Sequence, residues 1–463
     1  LAGRAADSLS ALPLRLDYSK TDLSGPADYF MVRVRMEAER ILKDISAYRG
    51  KDWDIERDGL IITTTLRMPL QKAAGEAFAA HMPRMQKKLD EQYNTSSGRR
   101  ALKEIPDSLK KMMTTLQAGL LAMDPASGAV MAWTGGIDFK TQPYDQIMAR
   151  RQLASVFKPF IYAAALEDGV EPCRYLDNDS VTLSGFNDWS PENYNHSYGG
   201  KYSLAGALAQ SMNIPTFSLF LMIGFDKVDR LWQNMGFSFP LVNTPSLAMG
   251  TAEASILEVA RAYAAFANGG MIVNPYLIES VKAPDGRVLW QYAPPRGLDR
   301  VLSERSATLM AAMLEKAIRE GTGASAHSVY GVKVPLAGKT GTSQNYADAW
   351  FAAFNPGIVI VSRVGASSPS IHFNSGSYGS GSALALPLVA MTLKKVEKNK
   401  EIMSVINTPF APLPPELAMA LDCPDFREKS FFDRLIDIFR DNNIDYQKET
   451  RRRRIIRGRI FKI

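Results

Sequence analysis

Ser155 and Lys158 stand three positions apart in Ala154-Ser155-Val156-Phe157-Lys158-Pro159-Phe160, just ahead of the apolar run Ile161 to Leu166. Residues three apart on a helix share a face, so the hydroxyl and the amine can meet there. Pro159 is tolerated because the first four helical N–H groups have no intrahelical acceptor. The spacing predicts a helix that begins near Ser155 and stops near Gly169, with its positive dipole end beside the hydroxyl. A hydroxyl, an amine and a helix N-terminus in one turn are the parts of a nucleophile site. The pattern alone also fits a plain helix cap: Ser108-Leu109-Lys110-Lys111 repeats it in what reads as a polar surface helix.

Two more motifs follow in order. Ser211-x-Asn213 closes a short predicted helix over 205–210, and Lys339-Thr340-Gly341 lies in an extended run; they start 56 and then 128 positions further on. Glycine inside a strand usually marks close approach of a ligand or of another backbone. Ser343-Gln344-Asn345 is a second Ser-x-Asn, whereas Lys-Thr-Gly occurs once. The four histidines are scattered and none lies in an HExxH pattern, so a Ser-His-Asp hydrolase is poorly supported and a zinc enzyme unsupported. A lysine is the expected base for Ser155. Cys173 and Cys423 have no metal-ligand spacing and are read as forming no disulfide framework. Neither a metal nor a cofactor is expected.

The 463 residues allow two or three domains, and 46% hydrophobic with 22% charged residues is globular composition. The chain starts at Leu1, as expected of a fragment or processed chain. No run of 18 apolar residues occurs, so no segment is expected to span a membrane, and no signal peptide is visible. The net charge of +7 sits in the tail: residues 451–463 carry seven basic groups and no acid, which leaves 48 of each sign over residues 1–450. A distributed basic face of the kind that binds nucleic acid is absent. The tail suits anionic lipid or polymer, or is simply solvated.

These motifs need elements to hold them. Residues 1–50 read as a connector: an extended Leu12 to Leu16, a polar stretch from Asp17 to Pro26, then a helix from Ala27 to Ile45. Residues 51–115 read as a small linker domain with a β-hairpin, Trp53 to Glu56 against Leu60 to Leu66 about an Asp58-Gly59 turn, and a helix from Pro69 to about Tyr93. Residues 116–400 form the main domain. It opens with strands over 118–123 and 129–133, continues with helices over 251–268 and 303–320, and adds strands over 347–354 and 358–361 and a helix over 383–396. Strands in this order with flanking helices imply an α/β fold of α+β type, an antiparallel five-stranded sheet covered by helices. Residues 401–463 read as a Pro-rich linker (Pro409 to Pro415), an amphipathic helix carrying Phe431, Phe432, Leu435, Ile438 and Phe439, and the basic tail.

The ordered trio resembles that of the active-site serine penicillin-recognising enzymes. The flanks resemble class A penicillin-binding proteins: Arg151-Gln152, Lys158-Pro159-Phe160, Asp58-Gly59-Leu60 through Thr64-Thr65-Leu66 and Leu70-Gln71, Pro191, Asn193, Tyr194, Pro245-Ser246-Leu247 with Gly250, and Asp348-Ala349-Trp350-Phe351. The likeness covers roughly residues 50–395. It implies a transpeptidase domain without its upstream glycosyltransferase partner, on the outer side of the cytoplasmic membrane, with the membrane anchor upstream of this chain. Leu153-Ala154 replaces the Pro-Gly common before the nucleophile, and Arg67 replaces an aspartate.

The resemblance also implies roles. Ser155 would attack the carbonyl between two D-alanines of a peptidoglycan stem peptide, the donor, and an amine acceptor or water would release the acyl group; β-lactams would bind covalently. Lys158 would be the base, Ser211 a proton relay, and Asn213 an orienter. Lys339, Thr340 and Thr342 would hold the terminal carboxylate, and Gly341 would keep the strand open. Asn193 and Tyr194 would line the substrate site, with the oxyanion on the Ser155 and Thr342 N–H groups. A class A β-lactamase would need a Glu-x-x-Leu-Asn run, which is absent. A carboxypeptidase, a non-enzymatic β-lactam sensor and a cell-wall scaffold are the alternatives.

Overall fold

The computed structural model describes residues 25–49, 52–184 and 188–424. The extended piece at 12–16, the start of the polar stretch after it, the apolar stripe at 431–439 and the basic tail lie outside the described residues.

In chain order the elements that matter here begin with helix α1, Asp28–Arg49, strand β1, Ile61–Thr64, and helix α2, Met68–Tyr93. Strands β2, Leu116–Met123, and β3, Val130–Thr134, follow. Then come β4, Arg151–Gln152, α3, Lys158–Glu167, α4, Leu204–Ala209, and α5, Asn213–Ile223. The second half holds β5, Glu253–Ala254, α6, Ile256–Ala267, β6, Ile278–Lys282, and β7, Val288–Gln291, and α7, Glu304–Arg319. It closes with β8, Ala337–Thr342, β9, Asp348–Asn355, β10, Ile358–Ala366, α8, Leu386–Val396, and α9, Pro415–Leu421.

The central sheet has five antiparallel strands in the order β8-β9-β10-β2-β3. Every residue of β2, β9 and β10 is buried. An antiparallel sheet usually wets one face, and near-continuous apolar runs such as Ala349 to Phe354 are what covering both faces requires. Helices α2 and α8 pack together over one face, in a core that includes Leu70, Phe78, Phe351, Ile360 and Leu388. Helices α3, α6 and α7 cover the other, around Phe157, Phe160, Tyr263, Leu314 and Phe354. The expected fold class is the one observed.

Three local expectations change. The Asp58-Gly59 turn does not make a hairpin. Strand β1 pairs with β6, 214 or more residues downstream, in a separate three-stranded sheet with β7. The Asp54 carboxylate accepts the N–H groups of Glu56 and Arg57, a local turn that takes residues 53–57 out of strand pairing. Helix α6 begins at Ile256, not Thr251, because Ser255 and Glu258 form a reciprocal capping box there. The residues freed from it, Thr251 to Ala254, form with Gly250 a clamp on the nucleophile turn. The third change is covalent: Cys173 and Cys423 form a disulfide 250 positions apart. Spacing along a chain says nothing about distance in a fold, and the Pro-rich stretch stays on the body. Phe410 sits edge-on to Phe354, and Leu417 of α9 is buried. The bond therefore fixes the end of α9 to the loop after the nucleophile helix.

A crosslink closing so long a loop restricts mainly the unfolded chain, by about 5 kcal/mol. The double variant Cys173→Ser with Cys423→Ser should lose roughly that much in denaturant unfolding. Two free thiols titrating in the native, unreduced protein would contradict the pairing.

Candidate active site

The nucleophile turn is built differently from the helix start its sequence implies. Residues Ala154–Val156 form one turn of 3₁₀-helix, and α3 starts only at Lys158, with Pro159 in its first turn. Ala154 has φ of +50°, a region that costs a residue with a β-carbon about 1 kcal/mol or more. The alanine that replaces the usual glycine thus keeps the backbone glycine would take freely. Its surroundings hold it there. Leu153 N–H donates to Ala252 O and Ala154 N–H to Gly250 O, both at 2.9 Å, while β4 pairs with β5. A β-carbon on Gly250 would overlap the Ala154 carbonyl. Tyr263 Oη donates to Val156 O at 2.9 Å from below. Ser155 is left partly exposed, and its hydroxyl has no hydrogen-bond partner among the described residues.

Ser211 sits on a second strained residue. Helix α4 ends in a Schellman motif, with Ser211 N–H on Leu208 O and Met212 N–H on Ala207 O. Ser211 takes the left-handed position usually given to glycine, at φ +58°. This turns its carbonyl and hydroxyl in different directions, and a lysine takes each. Lys158 Nζ donates to Ser211 O at 2.7 Å, Met212 O at 3.1 Å and Asn213 Oδ1 at 2.7 Å. Lys339 Nζ donates to Ser211 Oγ at 2.8 Å and Thr340 O at 3.0 Å.

Both lysines are fully buried, and no carboxylate pairs with either among the described residues. Burial pushes the Lys158 ammonium well below its ordinary range, and the Lys339 charge pushes it further. Burial lowers Lys339 to about 7. Three acceptors suit the three protons of a charged Lys158. A neutral Lys158 must give up one of them, and its lone pair is then free for a neighbouring hydroxyl.

The Lys-Thr-Gly segment lies on edge strand β8. Gly341 is required by contact: a β-carbon there would lie 2.9 Å from Leu153 O and 3.2 Å from Val156 Cγ1 and Trp350 Cβ. The nucleophile turn therefore rests directly on the strand. Thr340 Oγ1 donates to Thr322 Oγ1 at 2.6 Å. Thr342 Oγ1 accepts the Gly381 N–H at 2.9 Å, which leaves the hydroxyl proton to donate elsewhere. The turn from β8 to β9 is tied by Ser343 N–H to Asp348 O and by Asp348 N–H to Ser343 Oγ, so the second Ser-x-Asn at 343–345 is a structural turn.

Asn193 proves to be a support. It is fully buried, its Oδ1 accepts the N–H groups of Asn213 and Ile214, and its Nδ2 donates to Asn178 Oδ1 and Ser197 O. All four of its hydrogen bonds are spent inside the protein, capping α5 where Met212 offers no side-chain cap. The expected direct substrate contact is not where the geometry puts this side chain. Asn213 Nδ2 donates to Glu192 O at 2.6 Å, and Tyr194, next to Asn193, is 60% exposed. Thr322 and Gly381 escaped sequence reasoning. Thr322 follows α7 in Gly321-Thr322-Gly323, which reads as a helix stop, and Gly381 lies in a Gly/Ser-rich run. Only the fold brings them to β8.

A serine on a clamped turn, two buried lysines sharing a second serine, and a glycine-bearing edge strand are the apparatus of acyl transfer through serine. Residues 118–377, more than half the chain, match the penicillin binding protein transpeptidase domain, and the chain belongs to that family. It is 32% identical over 295 residues to penicillin-binding protein 1A of Neisseria meningitidis serogroup A, covering 62% of this chain and 36% of that protein. The Rickettsia conorii protein of the same name is 29% identical over 325 residues, 65% of this chain and 39% of that one. The matches thus span little more than a third of these relatives' length. The fold is similar to penicillin-binding protein 1A from Haemophilus influenzae, with a TM-score of 0.68 at 22% identity over 84% of this chain and 72% of that one. It is also similar to the PonA1 protein of Mycobacterium tuberculosis in complex with penicillin V, with a TM-score of 0.60 at 21% identity over 83% and 99%.

Both lysines hold protons more weakly in the fold than in the unfolded chain, where their ordinary value is 10.5. From each folded value, about 7 for Lys339 and well below 10.5 for Lys158, up to the ordinary one the unfolded chain binds more protons, so stability rises with pH, and each burial penalty is fully present only below the folded value. Denaturant unfolding from pH 7 to 10 should show this rise. Lys339→Met should flatten it, since that variant removes one of the two titrations and raises Lys158. An identical slope in the variant would contradict the assignment.

Proposed function

We propose that this chain is a penicillin-sensitive serine D-alanyl-D-alanine transpeptidase that cross-links peptidoglycan stem peptides through an acyl-enzyme on Ser155. The observation that carries this reading is the pair of buried lysines without a carboxylate. Buried cations are normally paired, and a site that buries two beside a free serine is short of one negative charge and one proton acceptor. A peptide ending in a carboxylate supplies the first, and a neutral Lys158 is the second.

In the forward half-reaction Ser155 Oγ attacks the carbonyl between the two D-alanines and Lys158 takes the hydroxyl proton. The oxyanion rests on backbone N–H groups, those of Ser155 and Thr342. Lys339 and the Thr342 hydroxyl hold the terminal carboxylate, and the Thr340 hydroxyl joins them once its proton turns from Thr322. As the C–N bond breaks, the proton passes by way of Ser211 to the leaving amine, and D-alanine departs. An acceptor amine then attacks the Ser155 ester. Its proton returns to the Ser155 oxygen along the same route, and the new amide is the cross-link. Asn213 holds Lys158 in place, and Tyr194 offers an exposed ring beside the site. A strained β-lactam amide would follow the first half-reaction, its amine remaining tethered to the acyl group. The reading places the domain outside the cytoplasmic membrane, where peptidoglycan lies, anchored by a segment upstream of this chain.

The decisive experiment is covalent labelling with a fluorescent penicillin, together with incubation with a D-Ala-D-Ala peptide and an amine acceptor. Labelling should reach one equivalent and vanish in Ser155→Ala, and the peptide should yield free D-alanine and cross-linked product. Labelling that persists in the variant would overturn the site. Labelling without any product from peptide would favour a sensor, and hydrolysed peptide alone a carboxypeptidase.

A further inference from the structure

The Ser155 N–H has no acceptor among the described residues, although the next two turn amides do: Val156 N–H donates to Leu153 O and Phe157 N–H to Ala154 O. The matching acceptor for Ser155, three residues back, is the carbonyl of Gln152. That carbonyl is already taken, because Trp350 Nε1 donates to it at 2.8 Å. Trp350 is fully buried and stands opposite Gly341 across the β8–β9 pair. Its Cβ would lie 3.2 Å from a β-carbon on Gly341, so the absence of a side chain on β8 is what lets the indole lie against the strand and reach the nucleophile turn. The same end of β9 is anchored: Asp348 accepts from Arg363 Nε at 2.7 Å, and Arg363 Nη1 donates to Gln146 Oε1.

We propose that Trp350 is a positioning residue for acylation: its indole N–H captures the Gln152 carbonyl and so keeps the Ser155 N–H free to receive the oxyanion. The inference rests on the serine acylation proposed above. A carbonyl that loses its donor takes another, and the turn offers it the N–H of Ser155, three residues on and without an acceptor among the described residues. Trp350 also lies on the strand that pairs with the Lys-Thr-Gly segment, so one hydrogen bond sets the turn against the strand across which the two oxyanion donors are read. Trp350 touches no substrate; it acts through Gln152 and Ser155.

The test is the rate of acylation by a fluorescent penicillin, followed at several concentrations so that the acylation constant and the pre-covalent dissociation constant separate. Trp350→Phe keeps an aromatic ring and loses the N–H. It should slow acylation about 10- to 100-fold, the scale of weakening one oxyanion donor, with the dissociation constant unchanged and labelling still reaching one equivalent. Where phenylalanine leaves a cavity that unfolds the protein, benzothienylalanine at 350 replaces the N–H by sulfur at nearly constant ring volume and should show the same split. Wild-type rates in the folded benzothienylalanine protein, or a loss confined to the dissociation constant, would overturn the proposal. Wild-type protein that fails to label at all would instead refute the acylation chemistry.

Discussion

Two ammonium groups buried within reach of one serine are the constraint on which this structure turns. Lys158 and Lys339 approach Ser211 from opposite sides, one at its carbonyl and one at its hydroxyl. Taking two cations out of water without a counter-charge is expensive. Here the cost is met by acceptors already fixed by the fold: the Schellman turn that ends α4, the Asn213 amide and the Thr340 carbonyl. The lysines hold their protons more weakly than usual without being paired to a carboxylate, which is what the proposed roles, one as base and the other as receptor for an anion, require.

Holding those acceptors still demands backbone that a typical residue avoids. Ala154 and Ser211 both carry positive φ, the first just before Ser155 and the second in the serine that meets both lysines. Neither is held by its own preference. The 250–254 clamp and the Tyr263 hydroxyl fix the first. The end of α4 fixes the second. Two of the six described non-glycine residues at positive φ thus lie at the site, Ser211 itself and Ala154 just before Ser155, and they are supported by residues one layer out, which is where Asn193, Gly250 and Gly341 belong.

Much of this was legible in the chain, for identifiable reasons. Ser155, Lys158, Ser211, Asn213 and Lys339 stand in short motifs whose local context, a helix start, a helix end and a glycine-bearing strand, is itself written in neighbouring residues. The sheet was legible because four of its strands are largely apolar runs and the fifth carries the Lys-Thr-Gly motif. What escaped depends on distance through space. The Cys173–Cys423 bond, the pairing of β1 with β6, and the approach of Thr322 and Gly381 to β8 all join residues tens to hundreds of positions apart. Asn193 was found and its role misread: the residue type suited a substrate contact, and only the count of its hydrogen bonds shows it fully spent.

The Gly381 amide on the Thr342 oxygen carries a consequence for what the cleft will admit. With a lone pair of that oxygen engaged, the hydroxyl has a proton to donate, and Lys339 in its charged form can only donate. On the proposed reading this end of the site is therefore a polarity filter, favouring a group that only accepts over one that must donate. A peptide ending in a free carboxylate meets donors with lone pairs. The same peptide ending in a carboxamide would bring N–H groups towards N–H and O–H donors.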